Sequence, residues 1–133
     1  MRNGAILVVE DCELSASVII GLLRGVFPAR PLHVAATACK GFSDFVRLQP
    51  TLLVTDVGLP DASGLEVARR LTAMHPAALV VIYSADDGGA MRAAAAAAGA
   101  RALVSKSNPR ELLRVVGQLL DGQPGVDTRP SAG

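Results

Sequence analysis

The sequence predicts an α/β fold: a doubly wound sheet of five parallel strands with helices on both faces. Short aliphatic and β-branched runs recur along the 133-residue chain. Runs that stay apolar, rather than alternating with polar residues, mark strands buried on both faces. Helical stretches separate these runs, which is the pattern of a parallel sheet built by crossovers. Four of the runs also end in polar residues that a core does not need. Ile6-Leu7-Val8-Val9 ends in Glu10-Asp11, and Leu52-Leu53-Val54-Thr55 in Asp56. Leu79-Val80-Val81-Ile82-Tyr83 ends in Ser84, and Ala102-Leu103-Val104-Ser105 in Lys106. Open sheets of this class bind ligands outside the carboxyl ends of their strands, at a topological switch point. Three carboxylates, a hydroxyl and an amine are therefore expected on one rim.

After the first strand, Leu14, Val18 and Leu22 recur at a four-residue interval, giving an amphipathic helix that ends near Phe27-Pro28. Leu32 to Thr37 is the second strand, made indistinct by Ala35-Ala36, which has little β-propensity. A helix from Ala38 to Leu48 presents Phe42, Phe45, Val46 and Leu48, and the third strand then delivers Asp56. Gly58 and Pro60 mark a turn beyond it. Ser63 opens the third helix with Glu66 three residues on, as in a capping box. Its apolar face is Leu65, Ala68 and Leu71, and His75-Pro76 closes it. The fourth helix starts near Gly88-Gly89, runs through Ala93–Ala98 and stops at Gly99, a C′ residue. Alanine favours helix but offers little side chain to pack, so this helix should be thinly anchored. The last helix has Asn108 as N-cap, Pro109 at its first position and Glu111 in its first turn. Leu112, Val115, Val116 and Leu119 form its stripe, and Gly122 ends it. Residues 121–133 are rich in Gly and Pro and read as a flexible tail or the root of a linker, leaving 1–120 as one domain.

Composition narrows the function classes. Half the residues are hydrophobic, but three Phe and one Tyr leave the core to Val, Leu, Ile and Ala. The net charge of +1, from 13 basic and 12 acidic residues, provides no general field for nucleic acid or an anionic membrane. Cys12 and Cys39 lack zinc-site spacing and are expected to be small, buried or half-buried thiols in a reducing cytoplasm. His33 and His75 have no second ligand at metal spacing. Residues 1–9 lack the apolar segment of a signal peptide, and no stretch approaches the ~20 apolar residues of a membrane span.

The fragments ILVVED, LLVTDVGLPDASGLEVARRL, VVIYSA and GARALVSKSNPREL, in this order and spacing, resemble the receiver domains of two-component response regulators. The match covers about residues 4–120. It implies a flavodoxin-like (β/α)5 fold with strand order 2-1-3-4-5, which sets Asp11 and Asp56 on adjacent strands. It implies that Asp56 accepts a phosphoryl group from the histidine of a sensor kinase or phosphotransfer protein. Mg²⁺ would be held directly by Asp11 and Asp56, through water by Glu10, and by the Gly58 carbonyl. Lys106 would pair with a phosphoryl oxygen or, at rest, with Asp56, and the Ser84 hydroxyl would turn toward the phosphoryl group and draw its loop along. The output would be a partner protein or attached domain, with a homodimer as a further option and no direct nucleic-acid or membrane contact from this segment.

The chemistry agrees. A carboxylate and an anionic phosphoryl group repel by ~1–4 kcal/mol per unit pair at about 4 Å, and a hard divalent cation offsets this. Taken singly, each residue has an ordinary explanation. Asp56 could cap a loop, Glu10-Asp11 could cap the first helix, and Lys106 could be a solvated strand end. Their joint placement at strand ends is what argues for a site.

Several positions depart from the family pattern. Leu103 stands where many receivers carry an aromatic switch residue. Ser107 follows Lys106 where many have proline; a cis Lys-Ser bond would cost ~3–4 kcal/mol, so trans is expected. Similar Lys-Ser segments occur in receivers attached to helix-turn-helix effectors. Gly58 leaves the phosphoryl group unshielded from water, and Asp86 could orient that water or cap the next helix. Two other classes compete: a phosphorylation-independent interaction module, supported by Leu103 and Ser107, and a small α/β enzyme or nucleotide binder. The latter lacks a glycine-rich loop after the first strand, where Glu10-Asp11-Cys12-Glu13 would repel phosphates.

Overall fold

The computed structural model of the protein describes residues 4–122. Strands and helices alternate as β1 (Ile6–Val9), α1 (Glu13–Val26), β2 (Leu32–Ala35), α2 (Ala38–Leu48), β3 (Leu52–Thr55), α3 (Gly64–Met74), β4 (Leu79–Ser84), α4 (Gly89–Ala97), β5 (Ala102–Ser105) and α5 (Pro109–Asp121). The strands form one parallel sheet in the order β2-β1-β3-β4-β5, as the resemblance implies. β2 is shorter than expected and stops at Ala35. Helix α5 runs through Asp121 with Gly122 as its cap; the rest of the expected tail, 123–133, lies outside the described residues.

The two-residue period of the strands sorts their side chains into two cores. Leu7, Val9, Leu53, Val80 and Ile82 pack with Phe45 of α2, Val67, Ala68 and Leu71 of α3, and Ala95 of α4. Ile6, Val8, Leu52, Val54, Val81 and Val104 pack with Ile19 and Leu23 of α1 and Leu112, Val116 and Leu120 of α5. Both faces of the sheet are therefore dry, which explains why its strands are apolar throughout.

Helix α1 turns a different face inward from the one its four-residue row predicted. Ala16, Ile19 and Leu23 are buried, whereas Leu14 is 74% and Val18 53% exposed. The helix carries apolar residues on more than one side, and the sheet selects the row at 16, 19 and 23. Val46 of α2 likewise points outward, and the buried Val67 of α3 takes the place expected of Leu65, which is only partly buried. The α3 capping box is half formed. Ser63 Oγ accepts from Leu65 N at 3.0 Å, while the Glu66 carboxylate pairs with Arg69 instead of returning to the cap.

Helix α4 matches its expectation. Gly88 is the N-cap, Ala95 is the one buried residue within the helix, and Gly99 has φ +93°. A Cβ at Gly99 would meet Thr72 Oγ1 at 2.3 Å, so both its conformation and its contact with α3 require glycine. Thr72 Oγ1 donates to Ala98 O at 3.1 Å and pins this end of α4 to α3.

Leu23→Ala should lower unfolding stability by ~2–5 kcal/mol, whereas Leu14→Ala should change it by no more than ~0.5 kcal/mol. Urea midpoints measure both; equal losses would mean that α1 is turned the other way.

Candidate functional site

Backbone bonds carry the sheet one residue beyond three of its strands. Glu10 N donates to Ala35 O at 2.9 Å, Asp56 N to Val9 O at 3.0 Å, and Lys106 N to Ser84 O at 2.8 Å. The same alternation that built the cores then sends Glu10, Asp56 and Lys106 to the side bearing α1 and α5. They meet there: Lys106 Nζ lies 3.0 Å from Glu10 Oε1 and 3.1 Å from Asp56 Oδ1. Burial alone would lower the lysine pKa, but its hydrogen bonds to Glu10 and Asp56 outweigh that and raise it.

Carboxylate oxygens of Glu10, Asp11 and Asp56 all lie within 4.8 Å of one another. Glu10 is buried, Asp56 intermediate and Asp11 exposed, so the cluster opens from the sheet toward solvent. Neither Glu10 nor Asp11 is the N-cap of α1. The N-cap of α1 is Cys12, without a side-chain cap bond, and the second Glu10 oxygen accepts from Cys12 N at 3.2 Å. The Glu10–Lys106 pair was not anticipated; nothing in sequence spacing relates residues 96 positions apart. Three carboxylates against one ammonium leave the cluster net negative. An all-oxygen donor set of this charge suits a hard divalent cation.

The β3–α3 loop holds Asp56 in place. Gly64 N donates to Val57 O at 2.8 Å, and Gly58 and Ser63 form an antiparallel bridge, so the loop folds back on itself. A Cβ on Gly64 would lie 1.9 Å from Asp56 O, which makes this glycine a condition of the loop's path. Gly58 borders the cluster: a Cβ there would stand 4.0 Å from Asp56 Oδ2. Asp61, which the sequence did not single out, accepts from Ala38 N at 2.8 Å and Cys39 N at 2.9 Å. The bonds from Cys39 N and Ala38 N hold its carboxyl below the usual range and tie the loop to the start of α2. The only sequence signal for this was an aspartate in a turn, with partners more than twenty residues away.

Ser84 is buried at the end of β4, and its Oγ accepts from Asp86 N at 3.0 Å. Asp86 Oδ1 accepts from Gly88 N at 3.0 Å, so of its two options this side chain shapes the approach to α4. The Lys106–Ser107 bond is trans, like every described peptide bond. Beside Lys106, Leu14, Ser15, Val18, Ile19 and Tyr83 line an open groove of about 250 Å³. Cys12 and Cys39 are both exposed, contrary to expectation, because each sits at a helix start on the rim rather than under the sheet. His75 packs its ring on Phe45, with centroids 5.1 Å apart. Among the described residues, the acid cluster is the one group of three or more such side chains placed to hold a metal ion.

Lys106→Met should remove the ion-pair partner of the buried Glu10 Oε1 and lower stability by on the order of 1–3 kcal/mol at neutral pH. Urea midpoints of the two proteins at neutral pH check this, and an unchanged midpoint would contradict it.

Comparison with known proteins agrees with this architecture. Residues 6–117 match the family model described as the response regulator receiver domain. The chain is 40% identical over 72 residues to the transcriptional regulatory protein CreB of Escherichia coli K12, across 53% of this chain and 31% of that protein. It is 34% identical over 86 residues to protein-glutamate methylesterase/protein-glutamine glutaminase 6 of Anaeromyxobacter dehalogenans, across 62% of this chain and 24% of that protein. The chain thus spans under a third of the length of these relatives. A CheY-like receiver domain protein from Methanospirillum hungatei superposes with a TM-score of 0.82 at 26% identity, covering 92% of this chain and 98% of that one. A LuxR-family response regulator from Aurantimonas superposes with a TM-score of 0.78 at 27% identity, covering 90% and 86%. No helix among the described residues is long and apolar enough to cross a membrane. With the sheet order, the acid cluster and the family match in agreement, this chain belongs to the response regulator receiver domains of two-component systems.

Proposed function

We propose that the protein is a phospho-accepting switch in which Asp56 takes a phosphoryl group from the phosphohistidine of a sensor kinase or phosphotransfer protein. The observation that carries this is the cluster of Glu10, Asp11 and Asp56 with Lys106 set between two of its members. An Asp56 oxygen attacks phosphorus, the P–N bond to imidazole breaks, and its electron pair stays on the ring nitrogen, which is then protonated. The products are an aspartyl phosphate and a free histidine. Asp11 and Asp56 would hold Mg²⁺ directly, Glu10 through water, and the Gly58 carbonyl would complete the protein's share. When bound, the ion neutralises charge on the phosphoryl oxygens.

The remaining work falls to the chain itself. Lys106, paired with Asp56 at rest, can follow the phosphoryl oxygens with its ammonium and steady the charge that Asp56 gains. Ser84 can donate its hydroxyl to a phosphoryl oxygen, and the Asp86 amide bonded to it moves with it. The groove beside Lys106 offers apolar surface on Leu14 and Val18 at the mouth of the site, suited to a donor protein that must bring its histidine to Asp56. The chain would thus catalyse only its own phosphorylation and the reverse loss, and would control a partner or output domain. Because histidine kinases display their phosphohistidine in the cytoplasm, the protein would work there. The complete acid cluster and the Lys106 contacts favour this function over a phosphorylation-independent interaction module.

Incubation with acetyl phosphate and Mg²⁺ should add one phosphoryl group at Asp56, seen by mass spectrometry, and Asp56→Asn should abolish it. Stoichiometric phosphorylation of Asp56→Asn would assign the acceptor role elsewhere. Asp11→Asn removes one charged ligand and should lose most of the Mg²⁺ affinity in a titration; unchanged binding would sink the ligand assignment.

A further inference from the structure

Arg92, the fourth residue of α4, is not needed for the acid site, yet it makes two directed contacts. Its Nε donates to Asp87 O at 2.9 Å, back across the start of the helix, and its Nη1 donates to Leu103 O at 3.1 Å, across to β5. The segment before it is a chain of local bonds. Asp86 N rests on Ser84 Oγ, Gly88 N on Asp86 Oδ1, and Arg92 N on Gly88 O. These bonds hold the segment to itself. The Arg92 fork is what joins it to the neighbouring strand.

The rest of α4 offers little competing attachment. Ala95 is the one buried side chain within the helix, and Thr72 Oγ1 grips the far end through Ala98 O. The Leu103 side chain packs against the core that includes Ala95, and its backbone carbonyl gives β5 a polar contact with the first turn of α4 through the Arg92 guanidinium. A planar guanidinium can hold two acceptors in a fixed relation, which an ammonium cannot do as well.

We propose that Arg92 is a positioning residue that straps the Asp86–Gly88 loop and the first turn of α4 to β5, and so acts as a brake on the movement of Ser84 toward the phosphoryl group. The brake rests on the reading of Asp56 as the phosphoacceptor; the strap does not. When Ser84 turns toward Asp56, the Asp86 amide loses its place, and Asp87 O cannot shift far without stretching or releasing the Arg92 fork. The resting arrangement is favoured by whatever that fork contributes, and the phosphorylated arrangement must overcome it.

The test compares the full chain with Arg92→Ala and Arg92→Lys. In the unphosphorylated protein, amide hydrogen exchange across residues 86–97 should quicken by about two- to tenfold in Arg92→Ala, as expected for the loss of one side-chain tie. Beryllofluoride with Mg²⁺ should bind Arg92→Ala more tightly by a similar factor, because a larger fraction already occupies the competent arrangement. Arg92→Lys should fall between, with one bond restored and the fork lost. A domain that was merely weakened would not bind the mimic more tightly. Unchanged exchange at 86–97 would overturn the strap, and faster exchange with unchanged or weaker beryllofluoride binding would overturn the brake. Failure of the wild-type protein to bind beryllofluoride would overturn the brake together with the reading of Asp56. That failure is distinguishable from loss of the strap, because the exchange comparison needs no phosphoryl group.

Discussion

Three carboxylates within 4.8 Å repel one another, and the fold tolerates them because the Lys106 ammonium stands between Glu10 and Asp56. Its two partners come from the ends of different strands, so the ion pairs also join β1, β3 and β5 at their carboxyl edge. Removing water from such a cluster entirely would be very costly, and the gradient from buried Glu10 to exposed Asp11 avoids that. The cluster stays charged, partly hydrated and short of positive charge. Those are the conditions that suit a hard divalent cation.

The rest of the sheet serves to hold that arrangement in place. Parallel pairing sets Val9 beside both Ala35 and Thr55, so β1, β2 and β3 end level, while β4 and β5 end together at Ser84 and Ser105, two residues beyond Ile82, which faces Thr55. The chain leaves β1 toward β2 and returns on the other side as β3, and the crevice opens where those directions diverge. Asp61 and Gly64 then fasten the loop that follows Asp56, one by capping α2 and the other by allowing the backbone to pass against Asp56 O. Asp56 is therefore fixed from both sides: by the sheet before it and by a closed loop after it.

The face that carries α4 is organised differently. Helices α1 and α5 present several large buried side chains, while α4 contributes small ones and relies on polar contacts near its two ends. Apolar burial falls off gradually with displacement, whereas a hydrogen bond weakens steeply outside its narrow geometry. Helix α4 has less apolar surface tying it to the sheet than α1 or α5. The buried Ser84 and the Asp86–Gly88 bond lie directly upstream, which connects the end of β4 to the helix that buries only Ala95.

Much of this was legible in the sequence because strand and helix signals are local. Apolar runs marked β1, β3 and β5 to their observed bounds and β4 to within one residue, Asn108-Pro109 located the start of α5, and Gly99 the end of α4. The polar residues at strand ends identified the rim, and four family-like fragments supplied the order of the strands. What the sequence could not decide was which of several apolar rows on α1 faces inward, because periodicity defines a face only relative to a neighbour. Nor could it show that Glu10 shares Lys106 with Asp56, that Asp61 caps a helix formed earlier in the chain, or that Arg92 reaches Leu103. Each of these depends on two groups far apart in sequence arriving at bonding distance, and only the packed sheet and its helices determine that distance.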